Sequence, residues 1–250
     1  MIGLTLAVAP LNPATLHQPW EAPRLNLLLG ADEFGRNALL VLMVASGRSL
    51  ASGGLLASLA ILVALVFAAA MVRVRGTAAT LITQALVVVE SIPVFVWILI
   101  IFVATRERLT SGITILFLIA VTPFAANILR GEFLRLLDQP FIHVARMAGM
   151  SWSRIMLRHV LPNASSVALP LFAQLLGLGL AIPGAIGILG FTNRTDLDLG
   201  VMLFRGKENV VDHPLLLIST IGGILLIYAC ILQVTRRENW SPEVTQTRAG

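Results

Sequence analysis

Residues 51–72 read ASGGLLASLAILVALVFAAAMV, twenty-two positions without a single charge. A helix of that length is about 33 Å long, enough to cross a hydrocarbon core of about 30 Å. No water reaches the backbone inside lipid, so only a helix or a closed barrel satisfies its own amides there. A barrel strand would alternate polar and apolar residues over about ten positions, and this stretch does not alternate. The rest of the chain agrees. Of 250 residues, 57% are hydrophobic and 12% are charged, about half the charge of a soluble domain, and the mean hydropathy is +0.87. This excludes a disordered chain, a disulfide-built secreted domain and an ordinary cytosolic enzyme. The fold class expected is all-α, a polytopic membrane helix bundle.

Four more stretches reach the required length: Thr77–Thr105, interrupted by Glu90 and Pro93; Ser111–Leu129; Asn163–Phe191, with Pro170 and Pro183; and Pro214–Thr235. Five spans are therefore expected. Met1–Leu11 is apolar but would cover only about 16 Å, and it lacks the basic start of a signal peptide. It reads as the outer end of a partial first span, or as a short interfacial segment. The expected organisation is a partial span and extracytoplasmic segment over 1–45, a transmembrane domain over 46–235 and a cytoplasmic tail over 236–250.

Eighteen basic against thirteen acidic residues leave a net charge of +5. In a membrane protein arginines first report topology. If Thr77–Thr105 runs outward, then Arg73, Arg75, the 130–162 connection and the C-terminus are cytoplasmic. The 192–213 loop, with Asp196, Asp198, Glu208 and Asp212, is then outside. The lone cysteine, Cys230, lies in an apolar run and suits neither an intrachain disulfide nor a thiolate metal site. The histidines His17, His143, His159 and His213 are scattered, so no metal site is indicated.

The 130–162 connection is too polar for lipid and too long for a hairpin. Apolar residues recur at helical spacing through Phe133, Leu134, Leu137 and, after a break at Pro140, through Phe141, Val144, Ala145 and Ala148. Gly149 interrupts the second helix, Ser151 is placed to N-cap a third, and Leu161-Pro162 ends it. A short amphipathic helix, a glycine turn and another short helix suit docking into a groove of a soluble partner. They suit an interfacial helix lying on headgroups equally well.

The spacing His143-Val144-Ala145, Gly149, Leu161-Pro162 resembles the EAA loop of ABC-transporter permeases. Within that group the chain resembles the peptide/nickel import family, and its C-type subunit in particular. LLLGADEFGRN (27–37) is similar to the family's Leu-Gly-Thr-Asp-x-x-Gly-Arg-Asp stretch, and ILGF (188–191) with GVML (200–203) is similar to its last outer loop. There are departures: His143-Val144 replace the loop's Glu-Ala, the His-Pro before the first motif is missing, and Leu199 stands where Trp is usual.

The resemblance implies a type I importer permease in the bacterial inner membrane. Its expected partners are a second permease subunit, two ATPase subunits and an extracytoplasmic solute-binding protein; lipids surround it and no nucleic acid is involved. The solute class implied is a peptide, nickel or a metal chelate (metallophore). ATP and Mg would sit on the ATPase partners, with no cofactor and no catalytic residue on this chain. The sequence agrees, because its one Gly-Lys pair, Gly206-Lys207, is followed by Glu208 and has Val201 where a phosphate loop needs glycine. The coupling contacts expected are Phe141, His143, Val144, Ala145, Arg146, Gly149, Met150, Ser151, Ser153, Leu161 and Pro162. Arg146 reads as an ion-pair donor to the ATPase, the alternative being that Arg146, Arg154 and Arg158 meet anionic headgroups.

Glu90 sits in a spanning stretch, where a carboxylate must face protein or a cavity. With Pro93 and Gln174 it marks a candidate translocation path; the other reading is a structural pairing with a neighbouring helix. Ala173, Gly177, Ala181 and Ala185 form a one-in-four ladder of small residues suited to close helix packing. The competing classes are a self-sufficient secondary transporter or channel, which would work without ATPase partners, and a membrane enzyme, for which no catalytic motif occurs.

Overall fold

The computed structural model describes residues 17–25, 27–74, 76–104, 109–189 and 197–238. The expected partial span Met1–Leu11 and the tail beyond Glu238 lie outside them. Among the described residues every regular element is a helix, and the β features are two isolated bridges, Arg24 with Leu27 and Ala31 with Asn37.

Helix α1 runs from Ala38 to Met71, 34 residues, or about 51 Å at helical rise. It starts ahead of the predicted Ala51 because the apolar run 38–45 joins the same helix. Its first turn is capped by Asn37, whose Oδ1 accepts from the backbone N–H of Leu39 at 3.0 Å and of Leu40 at 3.4 Å. Among the described residues four helices are long and apolar enough to cross a membrane: Ala38–Met71, Phe117–Leu137, Ser165–Ile186 and Pro214–Gln233. Five were expected. The difference lies in Thr77–Thr105, which forms two shorter helices, α2 (Thr77–Glu90) and α3 (Val94–Ala104). Pro93 has no N–H to give the Val89 carbonyl and its ring crowds that turn. Instead Ile92 donates to Val89 O at 3.3 Å, and α3 restarts with Val96 and Trp97 donating to Pro93 O.

After α4 (Leu109–Leu137) come the short helices α5 (Pro140–Met147) and α6 (Trp152–Ile155). A π-helical turn (Met156–Val160) and α7 (Leu161–Asn163) follow, then α8 (Ser165–Ile188), α9 (Leu199–Glu208) and α10 (Pro214–Glu238). The chain divides into two compact units. In the unit made of residues 1–52 and 180–229, Val41, Leu42 and Ala45 of α1 form a core with Leu199, Met202 and Leu216. In the unit made of residues 53–179 and 230–250, α2 and α3 both pack on α4. There the buried stripe Phe117, Val121, Ala125, Leu129, Phe133 recurs every fourth residue. The α1 segment of this unit buries Ala57, Ala60, Ala64 and Ala68, a stripe of small side chains that permits close backbone approach. One such approach is at Gly179 of α8, where a Cβ would meet the Cα and carbonyl O of Gly53 at 3.0 Å.

Candidate functional site

Helix α5 opens with Gln139 in an extended conformation and Pro140 in the first turn, where a missing N–H costs nothing. Ile142 and Ala145 are buried and fix the helix to its unit. Phe141, Val144 and Met147 are 44%, 60% and 81% exposed. Spaced three apart, they form one apolar stripe facing away from the chain. His143 and Arg146 are exposed beside it. The sequence pattern grouped Val144 with Ala145, but the anchor is Ile142 with Ala145, and Val144 points out.

Gly149 ends α5 in the left-handed region, φ 76. The Met150 N–H donates to Ala145 O at 3.1 Å and the Gly149 N–H to Arg146 O at 3.0 Å. This is the paired 6→1 and 5→2 bonding of a Schellman cap. A Cβ on Gly149 would meet nothing within 4 Å, so within this chain the glycine is required by backbone conformation and not by space. Ser151 stands extended at the N-cap of α6 but makes no side-chain capping bond there. Ser153, Arg154 and Arg158 are exposed, and Met150 is half-buried.

Leu161-Pro162 does not end the helical path as expected. The π-helical turn takes up the extra residue, α7 carries Leu161 and Pro162, and α8 follows. Side chains bond carbonyls on either side of the proline: Asn163 Nδ2 donates to His159 O at 2.6 Å and Ser165 Oγ to Pro162 O at 2.7 Å. The His159 ring lies 6.3 Å from that of Phe141, joining α5 to the π-helical turn. The guanidinium of Arg73, from the turn after α1, lies 5.9 Å from the centre of the Trp152 ring. The Arg73 turn and the 151–163 segment therefore share one end of their unit. One turn before α5, Arg135 grips the buried Glu132 through Nε at 2.7 Å and Nη2 at 2.6 Å, a forked ion pair that sequence reading missed.

Glu90 is the last residue of α2. Asn127 Nδ2 of α4 donates to its Oε1 at 2.5 Å, so a neighbouring helix does offer it a polar partner. Pro93 and Gln174 are exposed, and among the described residues neither is hydrogen-bonded to Glu90. In the small-residue ladder Gly177 is buried, Ala173 is half-buried, and Ala181 and Ala185 are exposed.

The 27–37 motif is built around Asp32, which is 3% exposed. Its Oδ1 accepts from the backbone N–H of Phe34 and of Arg36, both at 2.9 Å, and its Oδ2 accepts from Arg36 Nε at 2.7 Å. Gly35 has φ 73, and a Cβ there would collide with His17 O at 2.2 Å. Arg205 of α9 ion-pairs with Glu33 at 3.3 Å and lies 5.0 Å from the Phe34 ring. The motif is thus a self-bonded loop docked on α9. Among the described residues no cluster of three metal-ligating side chains occurs.

Known proteins place this arrangement. A family described as "Binding-protein-dependent transport system inner membrane component" matches residues 57–235. The oligopeptide transport system permease protein OppC of Mycobacterium tuberculosis is 26% identical over 138 residues, 54% of this chain and 47% of the relative. The glutathione transport system permease protein GsiD of Shigella flexneri is 30% identical over 198 residues, 78% of this chain and 64% of the relative. The match thus spans about half the length of the mycobacterial relative. A solved chain of the MetNI methionine ABC transporter, in an inward-facing conformation, superposes with a TM-score of 0.66 at 13% identity. It covers 80% of this chain and 95% of that one, a likeness of fold. With most of its length matched, from the middle of α1 into α10, the chain belongs to the binding-protein-dependent transport system inner membrane component family.

Proposed function

We propose that this chain is a membrane-spanning permease subunit of an ATP-driven importer whose cytoplasmic handle is the 130–162 segment. The observation that carries the reading is the outward apolar stripe Phe141, Val144, Met147 on a helix whose other face is anchored by Ile142 and Ala145. Exposed apolar residues on a rigidly held short helix suit insertion into a groove of a soluble subunit, while the flanking arginines suit acidic groups at its rim. Closure of two ATPase subunits around their nucleotide would then move α5, and the π-helical turn would pass that movement to α8. A second permease would complete the translocation path, and an extracytoplasmic binding protein would deliver the solute.

The names of the relatives favour a peptide-type solute, and the sequence resemblance extends the class to nickel or a metal chelate. The Arg73–Trp152 contact supports a cytoplasmic location for both the first turn and the 130–162 segment, because both belong to the same end of the unit.

The test is purification and reconstitution. The chain should co-purify with a second permease and an ATPase pair, and should hydrolyse no ATP alone. Val144→Glu, at an exposed position, should leave the chain folded but release the ATPases and abolish ATP-driven uptake. Uptake by the chain without ATPase partners would replace this reading with a self-sufficient transporter.

A further inference from the structure

Glu90 and Asn127 both lie within apolar helical stretches. Glu90 is the fourteenth residue of α2, about 20 Å from its start at helical rise. Asn127 belongs to the apolar segment Phe117–Leu137 and precedes Arg130, the first residue of the 130–162 connection, by three positions. Lipid does not accommodate such a pair, yet α2 buries none of its residues against the chain itself. Immediately after Glu90 the helix breaks, and this carboxyl end presents carbonyls that attract positive charge.

The hydrogen bonding leaves two acceptors unused. Asn127 donates through Nδ2 to Glu90 Oε1, and its own Oδ1 is buried without a partner. Among the described residues the Asn127 bond is the one hydrogen bond to the Glu90 carboxylate, and the base one turn further along α4, Arg130, has its Nε buried without a partner and does not bond Glu90. A carboxylate oxygen and an amide oxygen side by side, at the negative end of a helix and without a resident cation, require N–H donors and positive charge. A primary ammonium group supplies both.

From this geometry we infer that Glu90 and Asn127 form a subsite for the protonated amino group of the solute during its passage. The inference rests on the importer reading, and it narrows the solute class to molecules with a free amine, such as peptides with an unblocked N-terminus. Asn127 is the positioning residue that holds the carboxylate, and Glu90 is the charge that meets the solute.

The experiment uses the complete transporter in proteoliposomes with its binding protein, and the probes are trialanine, glutathione and their N-acetylated forms. The wild-type complex is expected to take up at least one free-amino probe. Glu90→Gln is expected to reduce that uptake at least tenfold while binding-protein-stimulated ATP hydrolysis and co-purification stay within twofold of wild type. Asn127→Ala should cause a smaller loss, on the order of threefold. If Glu90→Gln fails to assemble, Glu90→Met, of similar length and at home in an apolar layer, is expected to assemble and show the same loss. Wild-type uptake rates in an assembled Glu90 variant would overturn the subsite and leave the importer reading intact, as would transport of acetylated probes as fast as free ones. Absence of any stimulated hydrolysis by the wild-type complex would overturn the importer reading, and the subsite with it.

Discussion

The guanidinium of Arg73 sits 5.9 Å from the centre of the Trp152 ring, so the turn that follows α1 touches the segment that follows the Gly149 cap. A displacement of α5 and α6 would therefore be felt by α1 as well as by α8. The contact gives the first turn a role beyond its charge, since Arg73 also holds a ring face.

Replacing either partner should weaken the same link. A cation–aromatic contact at a partly exposed site contributes about 0.5–1 kcal/mol. Arg73→Ala, Trp152→Ala and the double variant, compared by the thermal midpoint of the detergent-purified chain, should show a double loss smaller than the sum of the single losses by about that amount. Strict additivity would mean that the two side chains act separately.

Gly149 allows a cleaner separation. Its φ of 76 penalises any side chain, although a Cβ would meet no atom within 4 Å. The left-handed conformation costs an ordinary L-residue about 1–2 kcal/mol, and Asn less. Gly149→Asn should accordingly retain most ATP-coupled uptake, while Gly149→Ala retains less and Gly149→Val least. An Asn variant as defective as the Val variant would show that a partner subunit crowds the position, which makes space and not conformation the requirement.

These cases show what was legible in the sequence and what was not. Uncharged runs announce spanning helices, and a glycine between two amphipathic segments announces a cap, because both signals are local. Pro93 was visible too, but the apolar length from 77 to 105 concealed that it divides the stretch into α2 and α3. Ser151 was placed correctly but contributes no side-chain bond, since capping depends on a rotamer that spacing does not encode. The partner of Glu90 was hidden for a different reason: Asn127 lies on another helix, 37 positions away, and nothing local selects it. In the same way the one-in-four spacing of Ala173, Gly177, Ala181 and Ala185 was visible, yet Ala181 and Ala185 are exposed, and a close approach of α8 to α1 falls at Gly179, whose neighbour Gly53 is distant in the chain.

That approach predicts opposite outcomes for two helical glycines. At Gly179 a methyl group would press on the Gly53 backbone at 3.0 Å, and overpacking of this kind costs about 1–3 kcal/mol. At Gly222 of α10 a Cβ meets nothing within 4 Å, so alanine there should stabilise by about 0.5–1 kcal/mol through helix propensity. The thermal midpoint of the purified chain should fall for Gly179→Ala and rise for Gly222→Ala. A fall for both would indicate that Gly222 is packed against something outside this chain.

The loop around Asp32 makes the last prediction. Its carboxylate, 3% exposed, accepts from two backbone N–H groups and from the Arg36 guanidinium. Asp32→Ala strands all three donors at once, a loss of about 3 kcal/mol for a buried, charge-assisted set. Asp32→Asn keeps an oxygen for both amides and loses only the charge that Arg36 requires, so about 1–2 kcal/mol is expected. Because Arg205 pairs with the neighbouring Glu33, the loss should be local to the 17–37 segment and α9. Limited proteolysis reads this directly: cleavage within 17–37 should accelerate strongly in the Ala variant and modestly in the Asn variant, while the α5–α7 region keeps its wild-type cleavage rate. Equal protection in all three proteins would mean that the loop is held by contacts other than those of Asp32.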